Sequence, residues 1–372
     1  MQNERFTLSV PCLFGLEGLC ADELKRLPMG DVRAENGRVL FSGGVSDIAR
    51  ANINLRTGER VLLIVGETNA NNFDELFEGV RAMAWEKYIP DDGAFPVKGH
   101  SLNSKLQSIP DCQSIIKKAI AERLKSKYKV EWLKETGAKY QVQFAIMNDI
   151  ATIYIDTSGA GLHKRGYRPA HNAAPLRETL AAAIVKLSRY KGREPVCDPF
   201  CGSGTIPIEA ALVALNRAPG LVRSFAAEEW AWIPKTIWSE AIEEAKSREY
   251  SGDYIIWGGD IDQKSIDIAK ENAKRAGVSE HIRFETADAA SFFRKESGGI
   301  VMTNPPYGER VMHKSEAEDL YRNFGAVAKK LDGWKMYILS SHTEFERTFG
   351  KTATKKRKLY NGMIKCDLFM YY

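Results

Sequence analysis

Two short segments carry the residues that could do chemistry: the turn Asp198-Pro199-Phe200-Cys201-Gly202-Ser203-Gly204 and the stretch Asn304-Pro305-Pro306-Tyr307. The second fits methyl transfer to a planar nitrogen. The lone pair of an exocyclic amine is delocalised into its ring, so hydrogen bonding must localise it before it can attack. The Asn304 amide oxygen and the Pro305 carbonyl can each accept one amine hydrogen, and Pro305 and Pro306 stiffen the backbone so that both acceptors are preorganised. Tyr307 can stack on the base. No strong base is obligatory, because the amine becomes acidic once methylated. A base inside a duplex could not reach such a pocket and would have to be flipped out or already unpaired.

The first segment is a cofactor turn. Gly202 and Gly204 follow the apolar Pro195-Val196-Cys197, so the backbone can turn tightly and aim its amides at a ligand near a helix N-terminus, with Phe200 and Thr205 alongside. Alone, a glycine turn is also what any strand-to-helix connection uses. Asp260, followed by Ile261, ends the next strand, where a carboxylate can accept both hydroxyls of a ribose. Asp262 reads as a helix cap. Asp288, followed by Ala289, ends the third strand and is placed to accept from an adenine amino group, although a surface turn would also use an aspartate there. The order of glycine turn, acid, acid and Asn-Pro-Pro-Tyr at successive strand ends points to S-adenosylmethionine as the cofactor.

These residues need a scaffold of alternating strands and helices, and the sequence supplies one. A helix is predicted from Ala174 to Tyr190, with Asn172 near its start as a cap. Strands are predicted at Pro195-Val196-Cys197, 253–258, 282–286, 299–303 and 335–340, with helices over 205–215, 263–276 and 317–331 between them. Asn361-Gly362 reads as a hairpin turn joining 358–360 to 364–370. The implied fold is α/β, a Rossmann-like, doubly wound, mostly parallel seven-stranded sheet with an antiparallel edge. Ahead of it, residues 1–60 and 61–160 read as two small α+β units, the second containing a basic helix from Asp111 to about Tyr128. The insert from about Arg217 to Gly252 carries Trp230, Trp232 and Trp238, which are expected to pack an added helix against the doubly wound sheet or to wall the substrate cleft.

Composition sets the class. Of 372 residues, 44% are hydrophobic and 27% charged, ordinary for a globular protein. No signal-like or membrane-spanning apolar run opens the chain, so a cytoplasmic protein without membrane partners is expected. Six cysteines without a Cys-x-x-Cys pair suggest neither disulfides nor a metal site. The net charge is +5, with 20 basic and 21 acidic residues in 1–160, leaving 33 and 27 for 161–372. Basic runs at Lys117-Lys118 with Arg123, Lys125, Lys127 and Lys129, at His163-Lys164-Arg165 with Arg168, and at Lys351 with Lys355-Lys356-Arg357-Lys358 read either as phosphate contacts or as solvated faces.

With His163-Lys164-Arg165-Gly166-Tyr167-Arg168 and Asn172-Ala173-Ala174-Pro175-Leu176 before the turn, and Gly308-Glu309-Arg310 after Tyr307, nearly the whole chain resembles the THUMP-domain RNA guanine 2-amino methyltransferases. The likeness is greatest to bacterial enzymes that modify large-subunit ribosomal RNA, then to related transfer-RNA enzymes. The resemblance implies a ferredoxin-like subdomain over 1–60, a THUMP RNA-binding domain over 61–160 and a Rossmann-like methyltransferase domain over 161–372. It also implies that Asp198, Gly202 and Gly204 form the cofactor turn, Asp260 the ribose acid, Asp288 the adenine contact and Asn304 to Tyr307 the catalytic loop, with Asn172 to Leu176 near the methionine part of the cofactor. RNA contacts are expected at Lys117, Lys118, Lys164, Arg165 and Arg168. Some bacterial relatives carry a second methyltransferase domain, which is expected to be missing here. Adenine amines in DNA, glutamine amides in proteins and a catalytically silent RNA-binding assembly factor stay open as alternatives.

Overall fold

Strand pairing divides the chain into two seven-stranded sheets in a computed structural model that describes residues 4–168, 176–307 and 313–372. The first region runs β1 (Phe6–Pro11), α1 (Glu17–Arg26), β2 (Gly30–Glu35), β3 (Arg38–Gly43), α2 (Val45–Asn54), β4 (Leu62–Asn69), α3 (Phe73–Ala82), β5 (Val97–Leu102), α4 (Ile109–Tyr128), β6 (Val142–Met147) and β7 (Ile150–Asp156). Its sheet has the order β2-β3-β1-β4-β7-β6-β5. The residues on either side of position 60 therefore share one sheet, because β4 pairs antiparallel with β1 on one side and with β7 on the other.

The second region runs α5 (Glu178–Leu187), β8 (Val196–Asp198), α6 (Thr205–Ala214), α7 (Lys235–Ser247), β9 (Ile256–Asp260), α8 (Gln263–Ala276), β10 (Arg283–Thr286), β11 (Gly299–Thr303), α9 (Lys314–Ala328), β12 (Trp334–Ser340), α10 (Phe345–Phe349), β13 (Lys355–Asn361) and β14 (Ile364–Tyr371). Its order is β10-β9-β8-β11-β12-β14-β13. From β10 to β12 all pairings are parallel, and β14 enters antiparallel between β12 and β13. The chain winds outward in both directions from β8 and β11, which makes the gap between their carboxyl ends the topological switch point, where doubly wound sheets hold ligands.

Three expected elements move, among them the helix expected over 317–331, which lies at Lys314–Ala328. The strand expected over 253–258 lies at Ile256–Asp260, because Gly258 and Gly259 continue the strand; a Cβ there would come within 2.7 Å of the Phe284 ring and 2.2 Å of the Trp257 ring, respectively. The helix expected from Ala174 begins at Glu178 with Arg177 as its N-cap. Asn172 lies outside the described residues, as do 173–175 and 308–310.

The insert departs furthest from expectation. Its three tryptophans join the core of the N-terminal sheet, not that of the doubly wound one. Trp230 stacks on Tyr140 at 5.0 Å and 20°, and its indole N–H donates to the Lys139 carbonyl. Trp232 packs against Phe6 and Tyr88, and Trp238 stacks on Phe225 of the insert itself. Arg50 of α2 pairs with Glu244 of α7 at 2.7 Å. The insert thus reaches back from the second region and clasps the first.

Candidate functional site

Sequence order puts Asp198, Asp260 and Asp288 at or just beyond the carboxyl ends of β8, β9 and β10, and Asn304 just beyond β11. All four sit on one edge of the sheet because parallel strands end together. The glycine turn is locked there by backbone bonds. Cys201 N–H donates to the Gly259 carbonyl (2.8 Å), and the Asp260 carboxylate accepts from Gly202 N–H (2.9 Å) and Asp262 N–H (3.0 Å). Asp262 caps α8, as expected.

The two glycines do different things. Gly204, at φ +81°, is the N-cap of α6, and a Cβ there would sit 3.0 Å from Ala269 Cβ of α8, so a larger residue would force α6 and α8 apart. Gly202, at φ +51°, faces open space. Beside it lies Asp260, whose carboxylate retains lone pairs beyond the two bonds it accepts, and the next residue, Ile261, is 73% exposed and offers an apolar face. Asp288 is exposed and caps a short turn through Ala290 N–H, with Ala289 buried behind it. A glycine turn open to a ligand, a carboxylate for a ribose, an apolar side chain for a purine face and a further acid, Asp288, fit an adenosine-bearing cofactor.

Asp198 is buried. Its Oδ1 accepts from Phe200 N–H (3.1 Å) and from the Thr303 hydroxyl (2.5 Å). Burial pushes its carboxyl up to about 7 against the opposing pull of those two bonds, and the charge of Asp260 adds to the rise. Phe200 packs edge-on against Phe324 of α9, and Thr205 accepts from Arg168 Nη1 at 3.1 Å.

Thr303 escaped the sequence reading, since a threonine closing an apolar strand looks like core. Its hydroxyl ties the cofactor turn to the end of β11, directly before Asn304. A second tie is Tyr321 on α9, buried, whose phenol donates to the Pro306 carbonyl at 2.5 Å. The Tyr307 phenol closes onto the Asn304 amide oxygen. Its ring packs with Ile364 against the core of the second region, and burial raises its pKa well above the ordinary tyrosine range, with Cys366 adding to the rise and an Asn361 hydrogen bond opposing it. In this structure the ring is therefore turned inward and does not stand free to stack.

The expected RNA contacts divide. Arg165 is a correction: it is 2% exposed, faces buried Glu209 of α6 and donates to the carbonyls of Leu162, Leu55 and Arg56. Arg168 is another, pairing with Glu178 at 2.9 Å and bonding Leu176 and Thr205. Both turn inward because buried acids on α5 and α6 need partners. Lys164 is exposed. On α4, Lys117 pairs with Glu135 and lies over the Phe95 ring, Lys118 lies over Phe77, and Arg123 and Lys127 both reach Glu86.

The strand order and the line of strand-end acids define a class I, Rossmann-like, S-adenosylmethionine-dependent methyltransferase. Residues 165–369 match the RMKL-like methyltransferase domain, 7–62 the RlmL ferredoxin-like domain and 70–156 the THUMP domain. The chain belongs to this RMKL-like methyltransferase family. It is 44% identical to a Bacillus subtilis protein named "Putative RNA methyltransferase YpsC", over 99% of this chain and 96% of that one. It is 33% identical to the "Ribosomal RNA large subunit methyltransferase K/L" of Shewanella baltica, over 96% of this chain and 52% of that one, so it spans about half the length of that relative. Among solved structures, a Listeria monocytogenes "predicted N6-adenine-specific DNA methylase" is 47% identical with a TM-score of 0.94, covering 99% of this chain and 96% of that one. SMU.472, "a putative methyltransferase complexed with SAH", is 39% identical with a TM-score of 0.94, covering 100% and 98%.

Proposed function

We propose that this protein methylates RNA on the exocyclic 2-amino group of a guanine, in 23S ribosomal RNA or, as the alternative, in transfer RNA. Asn304-Pro305-Pro306 at the switch point carries this reading: a loop with two oxygen acceptors, tied through Thr303 to the cofactor turn and through Tyr321 to α9. S-adenosylmethionine supplies the electrophilic methyl group. Gly202, Asp260, Ile261 and Asp288 would hold its adenosine part, with Asp198, Phe200, Gly204, Thr205 and Ala289 shaping the turn around it.

Asn304 Oδ1 and the Pro305 carbonyl then accept the two amine hydrogens, which turns the nitrogen lone pair out of conjugation. Tyr307 must release Asn304, or share its oxygen, as the base arrives. The region up to residue 160, comprising a ferredoxin-like part and a THUMP part, would hold the RNA. The rRNA substrate rests on the name of the K/L relative and the RNA substrate on that of the Bacillus protein. Nucleosides from separately purified 23S rRNA and tRNA, compared by mass spectrometry between the parent strain and one lacking the gene, test it. Loss of 2-methylguanosine from one fraction is expected. Loss of N6-methyladenine from DNA instead would replace this reading with the one named for the Listeria structure.

A further inference from the structure

β14 pairs with β12 as far as Ser340↔Asp367 and with β13 as far as Asn361↔Ile364. The hairpin therefore runs past the carboxyl end of β12 by three residues of β14, about 10 Å at strand rise, on the same edge that carries Asn304. Its tip is Gly362-Met363, with Met363 98% exposed and Tyr360 also exposed. Tyr307 meets this projection at Cys366, its first residue past the end of β12, and at Asn361, beside its tip.

The N-terminal region meets the hairpin just below this projection, level with the end of β12. The Arg357 guanidinium donates to the Gly15 carbonyl, and Leu16 is buried in the core of the methyltransferase region. Between the docked Leu13 and Gly15, Phe14 stands 62% exposed. The hairpin also carries exposed charge. On α4, Lys117, Arg123 and Lys127 are matched by acids, while Lys118, Lys125 and Lys129 make no ion pair among the described residues. Among the described residues, exposed Lys358 and Lys365 have no ion pair; Asp367, the cross-strand neighbour of Lys358, makes none with it.

We infer that the Phe14 loop and the β13–β14 hairpin form one rim of the catalytic mouth that holds single-stranded RNA flanking the everted target base. Phe14 and Met363 take base faces, and Lys358 and Lys365 take phosphates. Isolated apolar side chains beside unmatched lysines suit unstacked nucleotides, whose bases need a flat partner and whose backbone needs charge. The inference rests on the RNA reading above and adds to it that the first region shapes the mouth directly.

The test uses the full chain with a 23S rRNA transcript and a fluorescein-labelled single-stranded oligoribonucleotide. Lys358→Ala/Lys365→Ala is expected to lower the slope of log affinity against log salt by about 1.4, at ~0.7 per single-strand phosphate. Phe14→Ala is expected to weaken RNA binding and raise KM by about 5-fold or more, with kcat, cofactor affinity and melting temperature unchanged. Lys270→Ala/Lys274→Ala, on the exposed face of α8, should leave the salt slope unchanged. Unaltered slope and affinity in the rim variants, while the parent protein methylates the transcript, would overturn the rim and leave the function intact. Rim variants normal on naked RNA but defective on ribosomal precursor particles would also overturn it, assigning the surface to a ribosomal protein. No methyl transfer to any RNA by the parent protein would sink the functional reading itself.

Discussion

Replacing Asp198 by asparagine should make the protein more stable at high pH, although Asp198 sits in the cofactor turn. The carboxyl is 1% exposed, and its pKa is raised from 3.8 to about 7, first by burial. An acid with a raised folded pKa binds its proton more tightly in the native state, so its contribution to stability is fully present below the unfolded pKa and is lost as pH rises through the folded one. The window is therefore about pH 4 to 7. A shift of about three units at 1.36 kcal/mol each makes the ionised form cost about 4 kcal/mol, of which about 2–3 kcal/mol accrues between pH 5 and 8. Asparagine keeps an Oδ1 to accept from Phe200 N–H and Thr303 Oγ1 but cannot ionise. The stability difference, Asp198→Asn minus parent, measured by urea denaturation followed by circular dichroism without cofactor, should rise by that amount from pH 5 to pH 8. A difference that stays constant across this range would refute the argument that Asp198 is a buried, desolvated carboxyl.

Three further outcomes follow from the site and the clasp. Asn304→Ala should keep cofactor and RNA binding and lose about 100-fold or more in single-turnover methylation, the scale of one preorganised polar group. Tyr321→Phe removes the donor to the Pro306 carbonyl; kcat should fall about 10-fold, as for a lost hydrogen bond of about 1 kcal/mol or slightly more, with the S-adenosylmethionine Kd unchanged by calorimetry. Trp230→Ala empties a fully buried ring site between the two regions and should cost about 3–5 kcal/mol in urea denaturation.

The features legible in the sequence were those set by local chain direction. Asp198, Asp260 and Asn304 could be read as strand-end residues because each closes an apolar run before a turn or helix, Asp288 because it follows the next strand in the alternating order, and parallel strands then bring them to one edge. What the sequence hid depends on partners far along the chain. Thr303 meets Asp198, 105 residues away, and Tyr321 meets Pro306 across a loop, and neither residue type advertises such a role. Arg165 and Arg168 sit in a basic run that looks solvated, yet buried Glu209 and Glu178 draw them inward. β2 has a mixed, largely exposed pattern without hydrophobic alternation, so the edge of the first sheet gave no signal. The tryptophans of the insert announced packing without saying against which sheet.

That clasp, together with the Arg56 guanidinium donating to the Leu212 and Arg217 carbonyls and Arg165 holding the Arg56 carbonyl, joins the two regions at separate points. One junction would act as a hinge; several, the Gly15–Arg357 contact among them, act as a brace. On the proposed RNA reading the protein would be a caliper with a fixed gap, in which the span between the RNA held by the first region and the reacting amine is part of the recognition code. A target of the right base at the wrong distance would be refused as firmly as a wrong base, and selectivity among thousands of guanines would need few contacts to the bases themselves.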